Sequence, residues 1–192
     1  AIKKAGVAPG KTVLITGTGP IGLMFVMLTK YFGGRAIATD LLPSRIEKAI
    51  EVGAEAAFDA RDDYLSDRIQ ALTNGMGVDI TLLAVPSDKA FFQALDCTRK
   101  GGKILFFAEF PERVEISIKP NILYRREIDL MGSYSSSYRL QNLASDIVFH
   151  RRIDVRNLIS DHYPLKDLPQ ALEQAIMPTK DTYKILIYPH RA

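Results

Sequence analysis

The stretch VLITGTGPIGLM, residues 13–24, places three glycines directly after a short apolar run. The glycines are Gly17, Gly19 and Gly22, and their spacing matches the pattern G-x-G-x-x-G. This pattern alone occurs in many unrelated turns, so the residues around it decide whether it binds a nucleotide. A dinucleotide site requires a strand before the glycines, a helix after them and an acidic residue near the end of the second strand.

Short apolar runs alternate with helical patterns through the first 108 residues. The runs are TVLIT at 12–16, AIAT at 36–39, AAF at 56–58, VDITLLAV at 78–85 and KILFFA at 103–108. Such runs are typical of strands buried on both faces, and the helical segments between them end at glycines. Because parallel strands need crossovers of this length, the sequence predicts an α/β fold with a doubly wound parallel sheet, the Rossmann arrangement.

The pattern changes after Ala108. Two prolines, Pro111 and Pro120, flank a segment that we interpret as a loop with an edge strand around residues 114–118. The sequence then predicts a strand in EIDLMGSY (127–134), helices at 138–152 and 165–176, and a terminal strand at 183–188. We place a domain boundary near Tyr138, with a dinucleotide-binding domain at 1–137 and a C-terminal extension at 138–192.

Each glycine of the motif meets a separate steric demand. Gly17 allows a sharp turn after the strand, Gly19 lets the backbone approach a pyrophosphate, and Gly22 lets the helix pack closely on the sheet. The helix predicted to begin near Pro20 directs its free N–H groups and its positive dipole end at the diphosphate. The turn therefore satisfies the first two requirements of a dinucleotide site.

Asp40 satisfies the third requirement, because it ends the second predicted strand 18 positions after Gly22. A carboxylate there accepts hydrogen bonds from the adenosine ribose and disfavours a 2′-phosphate, so it favours NAD over NADP. Arg45 flanks the adenosine in this interpretation, although it is also compatible with a 2′-phosphate. The structural alternative for Asp40 is a helix cap before Pro43 and Ser44.

Composition excludes several classes of partner. The 25 Lys and Arg residues and 22 Asp and Glu residues are scattered, so we expect no nucleic acid partner. No apolar stretch approaches the length of a membrane span, and we expect no membrane association. The single cysteine, Cys97, excludes an internal disulfide and fits a cytoplasmic protein. The first residue is not Met, which suggests processing or an excised fragment.

Several segments in a fixed order resemble the medium-chain, zinc-dependent alcohol dehydrogenase family, and the branch of sorbitol and threonine dehydrogenases most of all. These segments are AGVAPGKTVLITGTGPIGLMFVMLTKYFGG, Asp40 with Arg45, AIEVGA, GSYSSS, LISDHYPLKDLPQAL and YKILIYP. The resemblance covers the whole chain. It implies that residues 138–192 are the C-terminal part of the family's catalytic domain, whose first part precedes the cofactor domain in such enzymes.

The resemblance also implies a set of cofactor-binding positions. The pyrophosphate turn corresponds to Gly17, Gly19, Pro20, Ile21 and Gly22, the ribose acid to Asp40, its basic neighbour to Arg45, and a lining position to Val85. Segments near the nicotinamide correspond to Phe107, Ala108 and Glu109, and to Ser133 and Tyr134. Relatives often have glycine at Ala108, and Phe107 and Glu109 are bulkier than usual.

Neither zinc ligands nor catalytic residues are expected in this chain. The family's catalytic and structural zinc ligands belong to the segment that precedes the cofactor domain. His150, His162 and His190 do not have the spacing of a metal site, and SDHYPL around His162 resembles a structural turn of the family. We therefore expect zinc only in the full-length enzyme, and we expect the isolated chain to be inactive.

The function implied by the resemblance is NAD-dependent oxidation of a small alcohol or polyol. The family commonly dimerises through the strand matched by EIDLMGSY, so we expect a homodimer or homotetramer. One alternative is a stand-alone NAD-binding sensor or regulatory module. Another is an NADP-dependent, zinc-free reductase, which predicts a small residue in place of Asp40.

Overall fold

The structure is a computed structural model that describes residues 1–135 and 137–190. The chain divides into two compact units, Ala1–Tyr138 and a second unit that begins at Arg139. Within the described residues, no helix combines the length and the apolar character that a membrane span requires. The candidate cofactor residues all lie in the first unit.

The first unit is built on a six-stranded parallel sheet. Its strands are β1 (Thr12–Thr16), β2 (Arg35–Asp40), β3 (Ala56–Asp59), β4 (Val78–Leu83), β5 (Thr98–Phe106) and β6 (Asp129–Gly132). They lie in the order β3-β2-β1-β4-β5-β6, so the chain changes direction across the sheet between β1 and β4. The predicted doubly wound α/β fold is confirmed, and ligands of such sheets bind where the order reverses.

Helices connect these strands. They are α1 (Ile2–Ala5), α2 (Pro20–Tyr31), α3 (Pro43–Glu51), α4 (Leu65–Leu72), α5 (Asp88–Cys97) and α6 (Pro120–Arg126). Proline occupies the first position of α2 and α3, where its fixed φ angle suits a helix start. The Ser87 side chain caps α5 by accepting a hydrogen bond from the Ala90 N–H at 3.2 Å.

The central strands form the core of this unit. All five residues of β1 are buried, and Leu14 of β1 packs with Ile37 of β2 and Ile69 of α4. Cys97 joins the same cluster and is 1% exposed, so the thiol behaves as a small apolar side chain. Each Leu or Ile buried here contributes about 1.5–3 kcal/mol from the transfer of its side chain out of water.

The predicted edge strand at residues 114–118 is wrong. Residues 114–119 form no regular element, and α6 follows from Pro120. Ile116 and Ile118 pack against a core cluster that includes Phe91 and Ile104, which explains their alternation with polar residues. The apolar residues recur at every second position because two side chains anchor a loop to the core, and residues 114–119 pair with no strand.

The second unit contains a short parallel sheet and two helices. Its elements are α7 (Gln141–Phe149), β7 (Ile159–Pro164), α8 (Leu168–Ile176) and β8 (Lys184–Tyr188), with short 3₁₀ helices at Val155–Leu158 and Leu165–Asp167. The structure places helices and a terminal strand where the sequence predicts them. The expected turn around His162 is wrong, because His162 lies within β7 and pairs with Leu186 of β8.

Candidate cofactor site at the carboxyl edge of the sheet

The glycine turn joins β1 to α2 at the carboxyl edge of the sheet. Gly17 has a φ of +84°, a left-handed conformation that side chains strain. A Cβ atom added to Gly17 would lie 2.3 Å from Cγ1 of Val85, and the Gly17 N–H donates to the Thr39 carbonyl oxygen at 2.7 Å. The turn is thus fixed both by backbone conformation and by the neighbouring strands.

Gly22 lies in the first turn of α2 and allows the helix to approach β1. A Cβ atom at Gly22 would lie 1.8 Å from the Gly17 carbonyl oxygen and 3.5 Å from Cγ2 of Ile15. The carbonyl belongs to the backbone, so it cannot move aside as a flexible side chain would. Only glycine is compatible with this packing.

Gly19 precedes α2 and faces open space. Its φ of −63° is ordinary for any residue, and a Cβ atom there would meet nothing within 4 Å. No side chain caps the start of α2, and Pro20 has no N–H, so Ile21 and Gly22 supply its first N–H donors. An uncapped helix start beside an open glycine backbone fits a diphosphate, since both the N–H groups and the helix dipole attract an anion.

Asp40 ends β2 and is 7% exposed. Its Oδ2 atom accepts hydrogen bonds from the Thr18 N–H at 2.7 Å and the Thr18 hydroxyl at 3.0 Å, and its Oδ1 atom accepts from the Leu42 N–H at 3.0 Å. The N-cap of α3 is Leu42, and no side chain caps that helix. Asp40 therefore does not have the capping role that was its structural alternative.

Arg45 lies on α3 and shares a cavity with Asp40. Its Nε atom is buried and has no hydrogen-bond partner among the residues that the structure describes. A buried donor without a partner costs about 1–3 kcal/mol. Arg45 therefore borders the cavity and also carries one buried donor that the described residues leave unsatisfied.

The cavity has a volume of about 380 Å³ at the end of β2 and near the end of β4. Four predicted site residues line it: Gly17, Asp40, Arg45 and Val85. No sequence motif marks the other lining residues, which are Thr16, Thr39, Leu41, Leu42, Ala60, Ser87, Lys89, Ala90 and Gln93. Gln93 is held in place by a hydrogen bond from its Nε2 atom to the Ala60 carbonyl oxygen at 2.8 Å, and no local motif signals such a contact.

The predicted nicotinamide positions are not part of this cavity. The N–H groups of Phe107 and Ala108 both donate to the Leu83 carbonyl oxygen, at 3.1 and 3.0 Å, and the Ser133 N–H donates to the Phe106 carbonyl oxygen at 3.0 Å. These bonds hold the segments after β5 and β6 at neighbouring strand ends.

The side chains of these positions are less constrained than their backbones. The Phe107 ring packs edge-on against Phe25 of α2, with ring centroids 5.0 Å apart. Glu109 is exposed, and Tyr134 is 93% exposed. Ser136, within the GSYSSS motif of the resemblance, lies outside the described residues.

The carboxylate at the end of the next strand has a different environment. Asp59 of β3 accepts hydrogen bonds from the Arg61 guanidinium, including 2.7 Å from Nη2 to Oδ2. Hydrogen bonds from the Arg61 side chain and backbone lower the pKa of Asp59 to about 2. The negative charge of Asp59 is therefore balanced by Arg61. Asp40, in contrast, forms no salt bridge with any cation of the described residues.

Potential metal ligands do not gather among the described residues of either unit. Across residues 1–135 and 137–190, no group of three or more His, Cys, Asp or Glu side chains is arranged to hold a metal ion. His162 instead has its Nδ1 atom 2.9 Å from the hydroxyl of Tyr188. The described side chains therefore do not fit a zinc ion.

Comparison with known proteins gives one consistent family. The family model described as "Zinc-binding dehydrogenase" matches residues 20–149, which is more than half of the chain. Sorbitol dehydrogenase from Bacillus subtilis is 34% identical over an alignment that covers 100% of this chain and 54% of that protein.

Two solved structures extend the likeness to the fold. L-idonate 5-dehydrogenase from Escherichia coli has a TM-score of 0.84 at 26% identity, covering 96% of this chain and 52% of that one. A zinc-binding dehydrogenase from Sinorhizobium meliloti bound to NADP has a TM-score of 0.86 at 25% identity, covering 98% of this chain and 55% of that one. The chain thus spans about half the length of the relatives that it matches.

Proposed function

The chain belongs to the zinc-binding dehydrogenase family, and from this premise we propose that its first unit binds NAD for a dehydrogenase that oxidises an alcohol or a polyol. The observation that carries the proposal is the junction of an open glycine backbone, an uncapped helix start and the buried carboxylate of Asp40. These features offer the three things that a dinucleotide needs: room, N–H donors for its diphosphate and an acceptor for its ribose.

In this proposal each part of the site has one task. Gly17 and Gly22 shape the turn, and the N–H groups at Ile21 and Gly22 contribute to binding the diphosphate together with the backbone beside Gly19. Asp40 accepts from the ribose, and Arg45 and Val85 border the adenosine. NAD, when bound, supplies a nicotinamide ring that accepts hydride from the alcohol carbon.

The nicotinamide end is assigned to two backbone segments. We place the nicotinamide against Phe107, Ala108 and Glu109 on one side, and against Ser133 and Tyr134 on the other. The support is their position after β5 and β6, whose ends lie next to each other on the carboxyl edge. The contact of Phe107 with Phe25 directs its ring onto α2, so this assignment relies on the backbone groups of the segment.

The whole enzyme includes more than this chain provides. We assign the dinucleotide-binding domain to residues 1–137, the C-terminal part of the catalytic domain to residues 138–192, and the zinc ligands to residues outside this sequence. We also propose a cytoplasmic homodimer or homotetramer that pairs through β6. The support is the similarity of the chain to longer zinc-type dehydrogenases such as the Bacillus subtilis sorbitol dehydrogenase.

Two alternatives are less well supported. A stand-alone NAD sensor has no evident use for the second unit, and the likeness to dehydrogenases runs through that unit as well. NADP is favoured by the positive charge of Arg45 beside the cavity and is disfavoured by Asp40, because a 2′-phosphate would lie near its carboxylate.

Calorimetry of the purified 192-residue chain with NAD and with NADP tests the proposal. We expect NAD to bind at least about tenfold more tightly than NADP, a difference of about 1.4 kcal/mol. Failure to bind either nucleotide would overturn the proposal, and equal affinities would remove the role of Asp40. Zinc-dependent oxidation of polyols by this chain would contradict the assignment of the zinc ligands to other residues.

A further inference from the structure

Thr18 connects Asp40 to α3 from within the glycine turn. Its side chain is fully buried, at 0% exposure. The hydroxyl oxygen lies 3.0 Å from Oδ2 of Asp40 and 3.2 Å from the carbonyl oxygen of Arg45. A hydroxyl carries one hydrogen, so it can donate to only one of these two acceptors at a time.

The acceptor capacity of Asp40 is almost filled by the chain itself. A carboxylate offers about four lone-pair positions, and the Thr18 N–H, the Thr18 hydroxyl and the Leu42 N–H use three of them. The ribose of an adenosine has two hydroxyl donors. One hydroxyl can use the remaining position on Oδ1, so the orientation of the carboxylate decides whether the ribose can bind to it.

We propose that the Thr18 hydroxyl is a positioning donor that holds the Asp40 carboxylate in the orientation that leaves a position on its Oδ1 atom for a ribose hydroxyl. This inference rests on the proposed binding of NAD. The hydroxyl donates to Asp40 Oδ2, the nearer of its two acceptors, and together with the Thr18 N–H it fixes Oδ2 beside the glycine turn. The Leu42 N–H takes one position on Oδ1, and the other position remains for the ribose.

Two substitutions separate the hydroxyl from the rest of the residue. Thr18→Val keeps the branched shape and removes the hydroxyl, whereas Thr18→Ser keeps the hydroxyl and removes a methyl group. Both retain the backbone N–H that donates to Asp40 at 2.7 Å. Thermal unfolding of each variant defines a temperature at which all three proteins are folded.

The probes are NAD, ADP and 2′,3′-dideoxy-ADP, with dissociation constants measured by calorimetry on the 192-residue chain. We expect Thr18→Val to weaken NAD and ADP about fivefold to tenfold, because a hydrogen-bonded carboxylate loses a preorganising donor. The same substitution should weaken the dideoxy probe less than about twofold, since that probe has no ribose hydroxyl that binds to Asp40. Thr18→Ser should stay within about twofold of the original chain for all three probes.

The alternative is that Thr18 only stabilises the turn. In that case Thr18→Val would lower the affinities for ADP and dideoxy-ADP by the same factor. This result would overturn the inference about Thr18, but the proposal that the chain binds NAD would stand. Unchanged affinity for NAD in Thr18→Val would overturn it as well. If the original chain binds neither NAD nor ADP, the proposed function fails and the inference fails with it.

Discussion

Two aspartates at opposite edges of the same sheet have opposite surroundings. Asp79 is the second residue of β4, at the amino edge, and accepts hydrogen bonds from Lys11 Nζ at 3.1 Å, the Thr12 N–H at 2.9 Å and Arg99 Nε at 3.0 Å. Asp40 ends β2 at the carboxyl edge, where only uncharged donors of Thr18 and Leu42 reach it among the described residues.

The difference separates a structural carboxylate from one available to a ligand. Burial alone would raise the pKa of Asp79, but hydrogen bonds from Thr12, Lys11 and Arg99 outweigh it and lower the pKa. The charge of Asp79 is thus balanced within the chain. Asp40 has no such cation, and it lines the cavity with one acceptor position on Oδ1 left for a ligand.

The largest expected effect comes from Gly22→Ala, which disrupts the glycine turn at the carboxyl edge of the sheet. The added Cβ would lie 1.8 Å from the Gly17 carbonyl oxygen, so α2 must move away from β1. We expect the free energy of unfolding to fall by about 3 kcal/mol or more, as measured by urea denaturation. Nucleotide binding should be lost with the turn.

Gly19→Ala is the matched control in the same turn. The Cβ there meets nothing within 4 Å and the φ of −63° suits alanine, so the free energy of unfolding should change by less than about 0.5 kcal/mol. NAD affinity should nevertheless fall at least about tenfold, because the methyl group takes the room of the diphosphate. An unchanged affinity for NAD would mean that the diphosphate does not bind beside Gly19, and it would contradict a ligand site at the carboxyl edge of the sheet.

The second largest effect is expected for Asp40→Asn. The amide has only one acceptor oxygen and no charge, so it cannot keep all the donors that now reach the carboxylate. Hydrogen bonds to a charged group are worth about 1.5–3 kcal/mol, and we expect NAD affinity measured by calorimetry to fall about tenfold or more. The preference for NAD over NADP should shrink, and an unchanged preference would argue against the ribose assignment.

Asp79→Asn makes the same chemical change at the other edge. We expect it to lower the free energy of unfolding at pH 7 by about 1 kcal/mol and to change NAD affinity less than about twofold. Because the folded pKa of Asp79 lies below the unfolded value of about 3.9, its contribution is present above that pH and is lost as pH falls through the folded pKa.

Urea denaturation at pH 7 and near pH 3 measures this contribution. The unfolding free energies of Asp79→Asn and the original chain should differ at pH 7 and converge in acid. If Asp79→Asn lowered the affinity for NAD as much as Asp40→Asn does, both carboxylates would affect binding through the stability of the fold. Asp40 would then have no separate role in binding the ligand.

The sequence was sufficient to predict the features that are encoded locally. Buried apolar runs define the strands up to β4, and the left-handed φ of Gly17 and the contact of Gly22 with the Gly17 carbonyl define the turn. Each of these features depends on residues close in the chain. The start of β5 was not predicted in this way. Thr98 begins the strand because it pairs with Val78 and its hydroxyl lies 2.8 Å from that of Thr81, contacts that no local pattern encodes.

The residues of the candidate site also differ in whether local sequence or distant contacts determine their position. Asp40 follows from its position after a strand, but the bonds from Thr18 depend on how β1 and β2 lie together, and Gln93 reaches the cavity through its contact with Ala60. The alternation of Ile116 and Ile118 with polar residues predicts an edge strand after β5, but these two side chains anchor a loop to the core. Spacing alone cannot separate a strand from a loop held by two apolar side chains.

The smallest expected effect is the reaction of Cys97 with a thiol reagent. Cys97 directly precedes Thr98 near the amino edge, and burial raises its pKa to about 12. At pH 8 its thiolate fraction is roughly 1,000-fold below that of an ordinary exposed thiol, and burial further limits access. We expect the folded chain to remain unmodified by dithiobisnitrobenzoate while the urea-unfolded chain reacts fully. Rapid modification under native conditions would mean that small molecules reach the amino edge of the sheet. The two edges would then not differ in their accessibility to small molecules.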